Sequence, residues 1–358
     1  MRKIAWLLPA SLLFATSIVF GAEQPKSLFY MTRDPNSVRD FLAHEDKIDL
    51  LVPTWYSVDA NGLVSGGPNP EVLAAAKEHH VPVMPIIVDG KFVQEDFHKF
   101  LGNPAAHKEM IEALLRECKA NGYVGIQFDF ENVLWTDRDA LSALVAETAA
   151  ALHHENLQLS IATVPNAPGK PGESGYSAWI YENWRGAYDL KALAQSVDLI
   201  CLMTYDQNTI WTEPGPVAGW KWVTENLDYA LQFVPKEKLS LGIPLYGYHW
   251  FPGTPTKVPD KTTGQLKDKP NPTGNYIPYQ DATDLARAYG GKIEWDSEDR
   301  TAWTYFYRDD TREWIFFTDE RTFRERYELV KKRGLEGFCS WVLGTEDPKI
   351  WDLLPSHK

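Results

Sequence analysis

Eight short β-type runs are spaced along this chain with helical patterns between them, and that alternation limits its fold more than any other feature. The runs cover residues 28–31, 48–55, 81–88, 123–130, 157–164, 197–203, 239–245 and 337–342. Helical periodicity fills intervals at 70–79, 105–121, 138–155, 217–233 and 321–333, several of them closed by Gly or Asn. Strand–helix alternation calls for a parallel sheet, and eight units predict an α/β fold of the (β/α)8 TIM-barrel class, with functional groups at the C-terminal ends of the strands. A doubly wound open sheet competes, but no glycine-rich turn follows the first strand.

One interval breaks the rhythm. Residues 248–318 combine Pro/Gly-rich stretches, a helix-like piece at 281–289, and two runs, 302–307 and 313–317, that alternate like hairpin strands. The expected layout is a barrel over 23–247, then a small α+β insertion over 248–318 carried on a βα loop before the last strand. The last helix, the last strand and a C-terminal helix follow over 319–358. Ahead of the barrel, Arg2 and Lys3 precede an apolar stretch that ends at Gly21 and Ala22 before polar residues resume. That order reads as a secretory signal peptide over 1–22, so export to the periplasm or the medium is expected, with no membrane attachment after cleavage.

A net charge of −13 argues against nucleic acid or an anionic membrane as the main partner. Tryptophan is abundant, and Trp179, Trp184, Trp211, Trp220 and Trp222 lie in loop-like stretches where indole faces suit stacking on sugar rings. The three cysteines, Cys118, Cys201 and Cys339, are too scattered for a disulfide framework, and the last two sit in apolar runs that read as core. No histidine pair has ligand spacing: His79 with His80, and His153 with His154, each end a helix-like segment, where cations complement the dipole. No metal, no cofactor and a monomer are expected.

The fourth run carries the chemistry. Gln127, Asp129 and Glu131 fall on one side of a strand whose other side is Ile126, Phe128 and Phe130. Burying unpaired carboxylates costs several kcal/mol, roughly, so such a strand presents a site rather than fills a core. Glu131 sits at the barrel mouth, Asp129 one layer deeper and Gln127 below that. A glutamate beside another carboxylate in apolar surroundings has its pKa raised, as a general acid working near neutral pH requires. Strand-end position adds Tyr30 on the first strand, Trp55 on the second and Tyr246 at the start of the insertion as sugar-contacting candidates.

Taken together, these motifs resemble glycoside hydrolase family 18, the chitinase family, whose fourth strand carries Asp-Gly-x-Asp-x-Asp-x-Glu; here that stretch is Val124 to Glu131. Met203, Thr204, Tyr205 and Asp206 are similar to the family's Met-x-Tyr-Asp, and Ser340 with Trp341 to its pocket-floor tryptophan. The stretch from Gly242 to Tyr248 resembles the family's seventh strand, after which many members carry a small α+β insertion. The resemblance implies an enzyme that cleaves glycans containing β-linked N-acetylglucosamine by substrate-assisted, retaining catalysis. In that scheme Glu131 protonates the leaving oxygen and the substrate's own acetamido oxygen attacks the anomeric carbon. Asp129 holds the acetamido N–H, Tyr205 bonds its oxygen, Asp206 and Met203 help seat the sugar, and Trp341 floors the pocket.

Two departures stand out. Val124 and Gln127 replace the family's first two aspartates, so Asp129 lacks its usual proton-sharing partner; the amide of Gln127 is expected to touch the site and donate a hydrogen bond that keeps Asp129 ionised. The spore-cortex-lytic branch also carries an amide there and shares the Asp-Phe-Glu ending, which points to peptidoglycan over chitin. Chitinase or chito-oligosaccharide hydrolase is the alternative within the enzyme class. A catalytically silent, lectin-like barrel is the alternative outside it, and the retained Glu131 argues against that one.

Overall fold

Parallel strands held between a barrel interior and a ring of helices are buried on both faces, and the apolar runs of this chain form such strands. The computed structural model describes residues 24–90, 92–253, 256–260, 263–269 and 274–357; the expected signal peptide lies outside the described residues. Eight parallel strands, Lys26–Met31, Leu50–Val58, Ile86–Asp89, Gly125–Phe128, Gln158–Thr163, Leu199–Leu202, Leu239–Pro244 and Gly337–Trp341, are neighbours in chain order. The eighth pairs with both the first and the seventh, so the sheet closes into a (β/α)8 barrel.

Local chemistry sets the helices between them. Pro104–Asn121 starts where the Asn103 side chain accepts from the Ala105 and Ala106 amides, and ends at Gly122 in the left-handed region, φ 74°. The last helix, Glu320–Arg333, repeats the scheme with Asp319 and Gly334. Two apolar layers result. Phe128, Phe130, Leu141, Leu227 and Phe338 pack between strands and helices, while Leu28, Tyr30, Cys201, Met203, Tyr205 and Cys339 fill the barrel interior.

The third barrel strand is shorter than its apolar run. Pro82 and Pro85 have no N–H to donate, so residues 81–85 keep only a bridge between Val83 and Leu51. The carbonyls of both prolines still accept, from Leu51 and Gln127. In the seventh strand a glycine is obligatory: a Cβ on Gly242 would lie 2.5 Å from the Leu202 carbonyl oxygen. At the far end the expected C-terminal helix is a six-residue 3₁₀ segment, Pro348–Leu353, because Pro355 follows too closely for an α-helix to develop.

Between the seventh and eighth barrel strands the chain builds a five-stranded antiparallel sheet. Its spatial order is Gly274–Pro278, Tyr246–Trp250, Thr311–Phe317, Thr301–Arg308, Glu294–Asp296. This sheet begins at Tyr246, with Leu245 alone between it and the end of the seventh barrel strand. Helix Tyr279–Ala288 covers one face, setting Ala282 and Leu285 against Ile277, Ala302, Phe306, Ile315 and Phe317. Within the sheet Glu313, 3% exposed, accepts from His249 Nε2 at 2.7 Å and from Arg308 Nε at 2.8 Å. Arg326, 1% exposed, fastens the sheet to the barrel: its guanidinium donates to the Ala218, Asp299, Arg300 and Thr322 carbonyls. Burial lowers its pKa to about 10, against the charges of Glu325, Asp299 and Asp319.

Candidate active site

At the C-terminal mouth of the barrel the fourth strand delivers its polar side. Gln127 and Phe128 are still paired with the third strand, and the Asp129 amide donates to the Ile87 carbonyl at 3.1 Å before the chain turns away. Ile126, Phe128 and Phe130 all pack outward against the helices, which leaves Asp129 on the inner side. Asp129 is 8% exposed and its Oδ1 has no protein partner, while Glu131 stands partly exposed at the rim.

Two further strands complete the wall. After the sixth strand, tight bonds from Thr204 N to Leu202 O at 2.8 Å and from Tyr205 N to Met203 O at 2.7 Å turn the backbone sharply. Asp206 follows at φ 61°, a left-handed conformation that aspartate tolerates better than most residues. Two phenols fix it there: Tyr246 and Tyr248 donate to Asp206 Oδ1 at 2.5 and 2.9 Å. They can do so together because alternate residues of one strand share a face. Trp341 ends the eighth strand with its ring centroid 5.4 Å from that of Tyr30, and the peptide bond after it is cis.

The electrostatics are those of carboxyls deprived of water. Burial, followed by the charges of Asp129, Asp206 and Asp89, pushes Glu131 well above the ordinary glutamate range. Burial, followed by the charge of Asp89, raises Asp129 to about 7. Asp89 itself is raised to about 6 by burial, against two backbone hydrogen bonds that favour its ionised form. Burial also raises Asp206, although its two phenol donors oppose the shift. The mouth therefore favours the protonated form of Glu131, beside an Asp129 that changes charge near neutrality. One group is ready to give a proton, and another is able to face a growing positive charge.

The structure brings Asp129, Glu131, Tyr205, Asp206 and Tyr246 to one mouth, over an interior layer that contains Tyr30 and Met203 with Trp341 packed against it. Two expected residues are elsewhere. Trp55 does not end its strand, which runs on to Val58; it alternates with Leu51, on the side that faces the helices, and lies in the outer layer, 6.0 Å from Tyr123. Gln127 is fully buried beneath the site and does not hydrogen-bond Asp129. Its amide reaches sideways, donating to Ser160 Oγ at 2.8 Å and Cys201 Sγ at 3.3 Å. With no donor from below, Asp129 is raised rather than held ionised, and its anionic neighbour is Asp89 on the third strand.

Three residues were not anticipated. Asp89 ends a barrel strand just before Gly90, a position that strand-end reasoning could have flagged. Tyr248 was within reach through its alternation with Tyr246. Tyr188, whose hydroxyl donates to the Phe130 carbonyl at 2.7 Å, arrives from a connecting segment with no local signal. Among the described residues no group of three or more His, Cys, Asp or Glu side chains could hold a metal ion.

Comparison with known proteins bears on the fold and the family. The chain is 28% identical over 360 residues to the cortical fragment-lytic enzyme of Bacillus cereus, covering 99% of this chain and 74% of that one. The spore cortex-lytic enzyme SleL of Bacillus cereus superposes with a TM-score of 0.79 at 23% identity, over 93% of this chain and 74% of that one. A chitinase from Chromobacterium violaceum superposes with a TM-score of 0.78 at 23% identity, over 92% and 97%. The family model for glycosyl hydrolases family 18 matches residues 27–346, and the chain belongs to that family, as a glycosidase.

Proposed function

We propose that this glycosidase cleaves β-linked N-acetylglucosamine-containing glycans outside the cytoplasm by substrate-assisted, retaining catalysis, with peptidoglycan preferred over chitin. The observation that carries the reading is the raised, partly exposed Glu131 standing over a buried Asp129 whose Oδ1 has no protein partner. In this scheme Glu131 gives its proton to the glycosidic oxygen as that bond breaks. The acetamido oxygen of the same sugar closes on the anomeric carbon, Asp129 accepts from the acetamido N–H, and Tyr205 donates to the acetamido oxygen. Water then opens the cyclic intermediate as Glu131 takes its proton back. Asp206, pinned by Tyr246 and Tyr248, helps seat the sugar above Trp341.

Several relatives carry the name cortical fragment-lytic enzyme, which supports the peptidoglycan preference. Chitin is the second reading, favoured by the nearly equal superposition on a chitinase. To separate the two, the mature protein and Glu131→Gln are incubated with purified sacculi and with chitin oligomers, and new reducing ends are counted. Loss of the acid should lower turnover by about 10²–10⁴-fold. Equal product from both proteins would remove Glu131 from its role, and release from chitin alone would reverse the preference.

A further inference from the structure

Beside the mouth, outside the barrel interior, lies a cavity of about 410 Å³ that no step of the hydrolysis uses. It is bounded by the end of the second barrel strand, the turn that follows, and the helix Gln94–Leu101. Strand alternation explains why Asp89 belongs to it. Ile86 faces the barrel interior and Ile87 the helices, so Asp89, two residues after Ile87, is directed outward with it, to the side of Phe97 and Phe100. Asp89 is 5% exposed, and its Oδ1 has no hydrogen-bond partner. A buried carboxylate oxygen without a donor is costly, and one that lines a cavity marks a place for a donor carried by a ligand.

Two more carboxylates line the same space. Asp59 and Asp96 are both exposed there. Asp59 Oδ1 accepts from the Asn61 and Leu63 amides, each at 2.9 Å, while Asp96 is 3.8 Å from a Lys99 that sits closer to Glu95, at 2.9 Å. None of the described residues that line the cavity is cationic. Because the three carboxylates do not form a group that could hold a metal ion, the cation that fits is organic. The walls narrow the choice further: Val58, Leu63, Val93 and Phe97 are apolar, and Leu63 is 60% exposed. Carboxylates among such walls suit an ammonium on an alkyl stem, whose methylenes cover apolar surface while the head is paired.

The cavity adjoins the acid. Asp89 ends the third barrel strand, and Asp129 follows the end of the fourth beside it. The residues leading into the helix are bonded to the neighbour of Glu131: Asn132 Nδ2 donates to the Phe92 carbonyl at 3.0 Å, and Gln94 Nε2 donates to Asn132 Oδ1 at 3.0 Å. Glu131 protonates the leaving oxygen in the scheme above, so the leaving sugar sits against this loop. In peptidoglycan cut after N-acetylglucosamine, that sugar is the one whose lactyl group carries the stem peptide. The diamino acid of such a peptide ends in an alkyl ammonium.

We propose that the cavity is a subsite for the ammonium of the stem peptide on the leaving sugar, so that peptide and glycan are read together. It rests on the reading of peptidoglycan as the substrate. Its test is binding rather than turnover: Glu131→Gln is co-sedimented with insoluble sacculi, native or N-acetylated with acetic anhydride, beside the same protein carrying Asp59→Asn and Asp96→Asn. Retention on native sacculi should exceed that on acetylated sacculi roughly fivefold in the parent, the scale of one partly exposed charge pair, and no more than about twofold in the variant. In an active background, the variant should cleave chitin oligomers within about twofold of the parent.

Equal retention on the two kinds of sacculi overturns the subsite, as does failure of the parent to sediment with either. An acetylation loss as large in the variant also overturns it, by assigning the effect to net charge, and a large fall on chitin oligomers does so by assigning the carboxylates to glycan contact. Insoluble chitin before and after partial deacetylation separates the two sources of amine. A gain there that matches the loss on sacculi overturns the peptide and gives the cavity to sugar amines. Asp96→Asn alone serves if the double variant unfolds. Amine-dependent retention without release of reducing ends from sacculi by the active protein would sink peptidoglycan hydrolysis and leave the subsite standing.

Discussion

A carboxyl that folding removes from water holds its proton more tightly than in the unfolded chain, and Asp129 carries that penalty for the sake of its position. Its folded pKa of about 7 lies above the ordinary aspartate value of 3.8, so the native state binds the extra proton between those limits. Stability from this group is complete below the lower value and lost as pH rises through the upper one. Asp129→Asn should therefore stabilise the protein by ~4 kcal/mol at pH 8 and by little near pH 4, while abolishing most activity. Urea unfolding at the two pH values checks the sign; equal gains at both would show that Asp129 is not raised. Asp89 gives the companion test. Its charge raises Asp129, so Asp89→Asn should lower the Asp129 pKa and carry the acid limb of the pH–rate profile to lower pH. A limb that stays in place would remove Asp89 from the site's electrostatics.

At the scale of elements, the sheet between the last two barrel strands holds a hydrogen-bonded charge cluster. Glu313 accepts from His249 and Arg308 with almost no solvent contact. Burial is the first cause of a lowered His249 pKa, so this imidazole stays neutral and its bond to Glu313 serves packing rather than pH sensing. Glu313→Ala leaves a guanidinium and a ring without their acceptor and should cost about 3–5 kcal/mol. Hydrogen exchange of Thr301–Arg308 and Thr311–Phe317 would show the loss locally, whereas uniform protection in the variant would contradict it. The fourth barrel strand teaches a complementary lesson. Period two placed Asp129 and Glu131 correctly, because the site needs only that they face inward. It could not say that Gln127 would turn across to Ser160, since a side-chain rotamer answers to the neighbouring strand.

For the molecule as a whole, the barrel was legible because eight buried parallel strands must be apolar runs, and the mouth was legible because polar residues at strand ends have no packing role. Trp55 was misplaced because its position near a strand end was read without its side: it alternates with Leu51, which faces the helices, and not with Val52, which faces the barrel interior. Asp89 was missed because the apolar run ended at Val88, one residue short of it. Long-range fasteners such as Arg326 were likewise invisible, since they join carbonyls distant in sequence. Arg326→Met keeps the bulk and leaves those carbonyls unpaired, and should cost about 2–4 kcal/mol. A thermal midpoint equal to the parent's would show that the fastener is redundant.

The seventh barrel strand continues almost without interruption into Tyr246–Trp250, and the Leu245 amide at the join donates to the Trp341 carbonyl at 2.7 Å. The insertion is thus not a module that can be exchanged at will. A chimera grafted at that point would have to bring its own pair of alternating tyrosines, or Asp206 would lose its seat even though every residue of the barrel had been left untouched.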